Sequence, residues 1–319
     1  MKWGELLISG CIVSVLAVEA SVANDLHELW SDQYSATGSG NALGRRVAID
    51  ALGNIVVLAE EFVGEGKVGL KILKYGPEGS LLWTQDLRDI QVWEVGRFLL
   101  AVDGEGAIHV SVDHLPDAVS HSNAPDIRTL LLDPDGRMVW RASFGEVEIL
   151  ESVNDMVTDS SGGTIITGSN HGREWITIRY DRNGKLLWTA HLPGLFGGAF
   201  SFGWSLALGD RDEVYVAGQL DSELVTVRYD ALGNLQWEAK AGQGFPGSIG
   251  RDLSGAVYVG GTLSEGNQNH FAILKYDSLG NRLWTFNGAV GGGDSITLAL
   301  TVSPGGGASA AAVHADTGF

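Results

Sequence analysis

The sequence predicts an all-β fold of short antiparallel strands, and three observations carry that prediction. A unit closing on tryptophan recurs as YGPEGSLLW (75–83), LDPDGRMVW (132–140), YDRNGKLLW (180–188), YDALGNLQW (229–237) and YDSLGNRLW (276–284). Its tryptophans, Trp83, Trp140, Trp188, Trp237 and Trp284, are spaced by 57, 48, 49 and 47 residues, which marks an internal repeat. A second signature precedes each later copy: DALGNIVVLA (50–59), DGEGAIHVSV (103–112), DSSGGTIITG (159–168), GDRDEVYVAG (209–218) and DLSGAVYVGG (252–261), with a degenerate VSPGGGASAA at 302–311. The 45 glycines, without sustained helical periodicity, fit many strands joined by tight turns.

In chain order, the first element reads as an address. Lys2 opens a short basic region, an apolar run extends from Leu6 to Val18, and Ser21-Val22-Ala23 offers the small residues that a signal peptidase reads. Residues 1–23 are therefore expected to be a signal peptide. Residues 24–319 are expected to be a single exported domain, periplasmic, on the outer surface or secreted. Ile8-Ser9-Gly10-Cys11 fits a lipobox that would anchor lipid on Cys11, but the apolar run continues past that cysteine as it does inside an ordinary leader. Cys11 is the only cysteine, so the body is expected to lack disulfides, thiol nucleophiles and cysteine zinc sites. No stretch reaches the roughly eighteen apolar residues of a membrane helix.

Beyond the leader, His27 to Ser31 reads as a lone fourth strand, and each period then supplies four, here a to d. In each signature an Asp accepts hydrogen bonds from the amides ahead of it, and a Gly three residues later relieves the steric cost of a positive φ, so each is a hairpin turn. In the third period, a ends near Val157, b covers about 164–168, c covers 175–180 and d begins at Leu186. Four strands of about six residues and four connections of about five reproduce the period. Four-stranded sheets stacked radially form a β-propeller, with the strand-d tryptophans as wedges between neighbouring blades. Six blades are expected, the last incomplete, because Phe319 stands where Phe271 opens strand c of the fifth repeat.

The strings DLSGAVYVGG and KYDSLGNRLW, within Asp252 to Trp284, resemble the bacterial SBBP-type β-propeller repeats, and the likeness extends over about residues 45–319. It implies an exported multi-blade protein and carries no catalytic residues. DRNGKLLW (181–188) also resembles the tryptophan motif of quinoprotein dehydrogenases, whose propellers hold pyrroloquinoline quinone. The calcium constellation and adjacent cysteines of those enzymes cannot be found in the sequence, so no cofactor is expected.

The formal charge of −18 repels phosphate backbones and anionic headgroups, which argues against nucleic acid as a partner. Function is expected on the side opposite the Asp turns, where the b-to-c and d-to-a connections run longer and irregular, as in SFGEVEILESVND, HLPGLFGGAFSFGW and EAKAGQGFPGSIG. Candidate ligand-binding residues there are Trp93, His114, His121, His171, Arg173, Phe200, Phe245 and His270. The loop DHLPDAVSHSNAPD (113–126) reads as solvated and acidic, since its spacing fits no strong metal motif. HELWS (27–31) lacks the second His of a zinc protease, GEGKVG (64–69) leads into a strand, and DPDG (133–136) is a hairpin turn. The expected function is a non-catalytic binding or scaffold module for protein or glycan. The alternatives are a hydrolase or lyase assembled from loops of several blades, a quinoprotein-like propeller and a structural surface protein.

Overall fold

The computed structural model describes residues 8–9, 12–20, 26–35, 42–64, 67–93, 96–114, 126–145, 151–170, 174–194, 200–266, 268–288 and 294–315. Every regular element among them is a strand. The chain divides into two compact units, Met1–Ile149 and Leu150–Phe319.

The first unit opens with a three-stranded antiparallel sheet of β1 (Ile8–Ser9), β2 (Ile12–Ala20) and β3 (Leu26–Ser35). One four-stranded blade follows as β4 (Ala42–Ile49), β5 (Ile55–Gly64), β6 (Lys67–Tyr75) and β7 (Leu81–Trp93). A second is β8 (Phe98–Val102), β9 (Ile108–His114), β10 (Asp126–Leu132) and β11 (Met138–Phe144). In the second unit, β12 (Glu151–Thr158), β13 (Thr164–Asn170), β14 (Glu174–Tyr180) and β15 (Leu186–Pro193) make one blade. The next is β16 (Phe202–Leu208), β17 (Val214–Leu220), β18 (Glu223–Tyr229) and the first half of β19 (Leu235–Arg251). The second half of β19 opens a further blade with β20 (Val257–Glu265), β21 (Gln268–Tyr276) and β22 (Arg282–Gly288), and β23 (Asp294–Val302) pairs with β24 (Ala308–Ala315). The strands of the third period thus lie within a few residues of the positions read from the sequence.

Two expectations about connections are corrected. EAKAGQGFPGSIG is not an irregular loop: it lies within β19, which pairs with β18 up to Gln243 and with β20 from Gly244. The b-to-c connection of the blade β16–β19 is also short, since Leu220 pairs with Glu223 across Asp221 and Ser222, both at positive φ (53° and 70°). Left-handed backbone at both central positions defines the tight hairpin turn whose twist matches its strands, and neither residue is the glycine that would have announced it.

Strands β5, β6, β17 and β18 are buried on both faces, with β17 buried along its whole length, because each packs into one core on either side. Val56, Leu58, Leu70 and Ile72 pack with Phe98, Ile108, Val110 and Leu130, and Tyr215, Ala217 and Leu224 pack with Ile249, Val257, Val259 and Leu274. These strands consequently read as apolar runs, as double-faced burial requires.

The repeated tryptophan forms one junction several times over. Trp83 Nε1 donates to the Pro134 carbonyl in the next blade's c–d turn at 3.2 Å, Trp188 Nε1 to Ala231 at 3.1 Å and Trp237 Nε1 to Ser278 at 3.2 Å. Trp30 on β3 donates likewise to Pro77 at 3.0 Å. The cation facing the tryptophan across the sheet reaches the same carbonyl: Lys74 donates to Pro134 at 3.2 Å, Arg179 to Ala231 at 3.1 Å and Arg228 to Ser278 at 3.1 Å. Each cation is held from behind by an acid of its own blade's a–b turn, in the pairs Lys74–Asp50 (3.0 Å), Arg179–Asp159 (2.7 Å) and Arg228–Glu213 (3.1 Å). The glycine of the receiving turn lies flat on the indole, so a Cβ on Gly233 would stand 2.6 Å from Trp188 and one on Gly280 2.7 Å from Trp237. The tyrosine opening that turn completes the contact, with Tyr75 5.7 Å from Trp30, Tyr229 6.0 Å from Trp188 and Tyr276 6.2 Å from Trp237 between ring centroids.

The turn itself is locked by its aspartate. Asp230 Oδ1 accepts from the amides of Leu232 and Asn234, both at 2.9 Å, and Asp159 Oδ1 accepts from those of Ser161 and Gly163 at 2.9 and 2.8 Å. Burial raises the Asp159 pKa, but hydrogen bonds from Ser161 and Gly163 and the Arg179 guanidinium outweigh it, and the carboxyl sits below its ordinary value. Asp50 and Asp252 are lowered too: burial again opposes, and hydrogen bonds led by the Asn54 side chain and the Ser254 hydroxyl prevail.

Two predictions follow from this junction. Gly280 and Gly266 both have positive φ (85° and 62°), but only Gly280 faces an indole, Gly266 having open space. Gly266→Ala should cost about 1–2 kcal/mol for the backbone alone. Gly280→Ala should cost about 2–4 kcal/mol because overpacking adds to the strain. Urea unfolding measures both, and equal costs would show that the ring contact is dispensable. The second concerns acid. Because the folded Asp159 pKa is depressed, its contribution is complete above the unfolded value of about 3.9 and disappears as pH falls through the folded value. The melting-temperature gap between the wild type and Asp159→Asn should therefore be wide at neutral pH and close below about pH 4; a gap independent of pH would contradict the assignment.

Candidate functional site

The Asp-turn ends of the blades have little left to offer a ligand, because their carboxylates are spent on their own amides. Single leucines stand at several tips, Leu52 (80% exposed), Leu232 (77%), Leu253 (77%) and Leu279 (72%), each on its own hairpin. The opposite ends, here the loop side, carry greater chemical variety. Strand a has a β-bulge near its loop-side start in several blades, between Gly44 and Arg46, Val153 and Asp155, Gly203 and Ser205, and Pro246 and Ser248. Such bulges re-aim one side chain relative to the pleat, and the residues they re-aim include Arg45, Asn154 and Trp204.

In the first unit, Arg45 Nη2 lies 2.5 Å from Glu60 Oε1, with its guanidinium 5.1 Å from the Phe98 ring centroid. The next residue along β5 points to the opposite face: Glu61 accepts from the Tyr34 hydroxyl at 2.7 Å and pairs with Lys71 at 3.2 Å, and Lys71 also donates to that hydroxyl. Burial lowers the Lys71 pKa, but the bonds to Tyr34 and Glu61 outweigh it and hold the amine above its ordinary value. Both glutamates are buried, at 2% and 4% exposure, and each has a cation against it, as buried charge requires. The pairing of Val92 with His114 places Trp93 and His114 together at this end of the two blades. Asp113 Oδ2 accepts from the Arg97 amide at 3.1 Å and anchors the start of β8 beside them.

In the second unit, the loop-side ends are stitched blade to blade. Asn154 Nδ2 donates to the Gly203 carbonyl at 2.6 Å, the Leu206 amide donates to Asp155 Oδ2 at 2.7 Å, and Gln219 Nε2 donates to the Gly244 carbonyl at 2.7 Å. Phe202 pairs with Gln219 and packs 5.8 Å from Trp204, so the Gln219 bond ties the start of β16 to the segment bearing Phe245. Phe200 and Phe245 project from this frame at 64% and 54% exposure. The Asp221 amide donates to Ser201 Oγ at 3.3 Å, fixing the tight turn next to Phe200. Leu263 pairs with both Gly244 and His270, which sets His270 one strand beyond Gly244 on the same end.

Of the residues expected from sequence, Phe200, Phe245 and His270 thus share the loop side of the second unit, and Trp93 and His114 share that of the first. His121, His171 and Arg173 lie outside the described residues. Asn154, Trp204 and Gln219 were not expected, since the bulge and the blade-to-blade bond that give them a role depend on pairing register and leave no local motif. Among the described residues, no group of three or more His, Cys, Asp or Glu side chains is arranged to hold a metal ion. Among the described residues, too, no helix is long and apolar enough to cross a membrane. Exposed phenyl rings over fixed amide and carboxylate groups can stack on an apolar ligand face while hydrogen-bonding its rim.

No protein-family model and no curated protein matches the chain. Among solved structures, the Dos1 propeller is similar with a TM-score of 0.56 and 13% identity, over 92% of this chain and 68% of that one. A Lactobacillus plantarum protein has a TM-score of 0.49 and 11% identity, over 82% and 73%, and a Bacteroides caccae protein of unknown function has 0.45 and 15%, over 86% and 93%. At such identities the Dos1 likeness speaks to fold alone, and together with the repeated four-stranded antiparallel sheets it establishes that the chain has a β-propeller fold.

Proposed function

We propose that the chain is an exported, non-catalytic binding propeller of the SBBP-repeat type, whose loop side in the second unit takes a glycan or a glycosylated protein. The observation that carries this reading is the exposure of Phe200 and Phe245 on a frame stiffened by the Gln219 and Asn154 hydrogen bonds. Exposed phenyl rings can stack on the apolar face of a ligand, and a rigid frame reduces the ordering cost of binding. Asn154 and Asp221, both partly exposed, provide the polar rim that a sugar needs.

Export rests on the leader at residues 1–23, whose removal takes away β1 and β2 and leaves β3, with Trp30, as the first strand. N-terminal sequencing of the protein recovered outside producing bacterial cells should read from Asn24; an intact Met1 or retention in the cytoplasm would remove this part of the proposal. For the binding role, electrophoresis through native gels containing xylan, β-glucan or mucin should retard the wild type with at least one of them. Phe200→Ala with Phe245→Ala should reduce that retardation about tenfold or more, while Leu232→Ala with Leu279→Ala on the turn side should not. The proposal fails if no gel retards the protein, if the first pair is without effect, or if the polysaccharide is cleaved.

A further inference from the structure

The hairpin turn at Asp221 and Ser222 departs from the backbone chemistry of the Asp turns around it. Those turns place glycine where the backbone is left-handed, at Gly162, Gly184, Gly233, Gly255 and Gly280, with φ between 78° and 86°. Among the described residues, Asp212, Asp221 and Ser222 are the non-glycine residues at positive φ (57°, 53° and 70°). A Cβ makes such backbone costly, and a hairpin turn with two left-handed positions favours Asn-Gly or Gly-Gly. At Asp212 the side chain has a task in blade packing, since it accepts from the Ser160 amide at 3.2 Å and the Ser160 hydroxyl at 3.1 Å. At the hairpin, two bonds that tie the turn down are made by its main chain. The Asp221 amide donates to Ser201 Oγ at 3.3 Å, and the Ser222 carbonyl accepts from the Gly244 amide at 3.0 Å. Glycine at either position would keep both bonds and relieve the strain.

The place of the turn supplies a reason for its side chains. Ser201 follows Phe200 and Gly244 precedes Phe245, so these bonds fasten the turn to the immediate neighbours of both exposed phenyl rings. Ser222 is exposed and Asp221 partly exposed. The next acid along the chain, Glu223, pairs with Lys240 at 3.1 Å, and that hydrogen bond is the largest influence holding the Lys240 amine above its ordinary value.

We propose that Asp221 is the specificity-determining residue of the loop-side site: its carboxylate accepts hydrogen bonds from adjacent hydroxyls of a neutral sugar stacked on Phe200 or Phe245, and it repels sugars that carry carboxylates. This assignment rests on the glycan reading given above. A charged acceptor binds hydroxyl groups more strongly than a neutral one, and like charges brought together at a binding surface suppress the wrong partner. Strain kept in a turn that glycine would relax is the pattern of a functional position.

Native gels again provide the test, cast with whichever of xylan, β-glucan or mucin retards the wild type and with the carboxymethyl and hydroxyethyl derivatives of that polymer. The carboxymethyl derivative should retard the wild type at least about threefold less than the hydroxyethyl one. In Asp221→Asn, which keeps the shape and loses the charge, that difference should close, while retardation by the parent polymer falls about tenfold. Asp221→Gly with Ser222→Gly should melt at or above the wild-type temperature and should likewise lose about tenfold in retardation. The assignment is overturned if the two derivatives retard the wild type equally, if the glycine pair binds the parent polymer as the wild type does, or if its melting temperature falls in step with binding. Those outcomes leave the glycan reading standing as long as Phe200→Ala with Phe245→Ala still weakens retardation. A wild type that no polymer retards, or an ineffective phenylalanine pair, removes that reading and this assignment with it.

Discussion

A single backbone carbonyl with two donors organises the blade junctions at Pro134, Ala231 and Ser278, and most of the repeat's sequence serves to present it. A carbonyl oxygen has two lone pairs, and at Pro134, Ala231 and Ser278 an indole N–H from the preceding blade takes one while a lysine or arginine from the same blade takes the other. The aspartate fixes the turn so that the carbonyl points outward, the glycine lets the indole close to contact, and the acid of the a–b turn keeps the cation from swinging away. Each residue is useful only in the presence of the others, which is the mutual support expected of a sequence that specifies one structure. This explains why YDxxG and the tryptophan travel together through the chain, for they are the two halves of adjacent junctions.

Much of this architecture was legible in the sequence. The turn aspartates and the period located the hairpins, and the tryptophans announced blade-to-blade packing, because turn chemistry and repetition are local signals. Partnership between distant strands was not legible. Glu60 and Glu61 look like a polar interruption at the end of an apolar run, and only the folded chain shows that Arg45 meets one and that Lys71 with Tyr34 meets the other. The irregular composition of 238–250 suggested a loop, but Gly242 at φ 115° lets one strand continue from sheet to sheet.

The same contrast applies to the candidate site. Aromatic residues flagged from composition reach the loop side, yet the groups that hold them there, Gln219 and Asn154, carried no signal because their bonds cross between blades. A site built this way inherits the rigidity of the sheets: Phe245 projects from a paired strand, not from a mobile connection. Its geometry therefore depends on blade packing more than on loop sequence.

The junction is also polar in a directional sense. At the junctions on Pro134, Ala231 and Ser278 one blade donates through its tryptophan and cation and the next accepts through its turn carbonyl, so donor and acceptor surfaces lie on opposite faces of one cassette. Such head-to-tail contacts are heterologous, so the number of units is set by the rotation per contact and not by the donor–acceptor chemistry. Duplication or loss of one whole period, as from Trp188 to Trp237, would preserve the pairing of donor and acceptor at the new join. The chemistry thus dictates the order of blades but is indifferent to their number, which makes this a chain whose length can drift in evolution by whole repeats without re-inventing an interface.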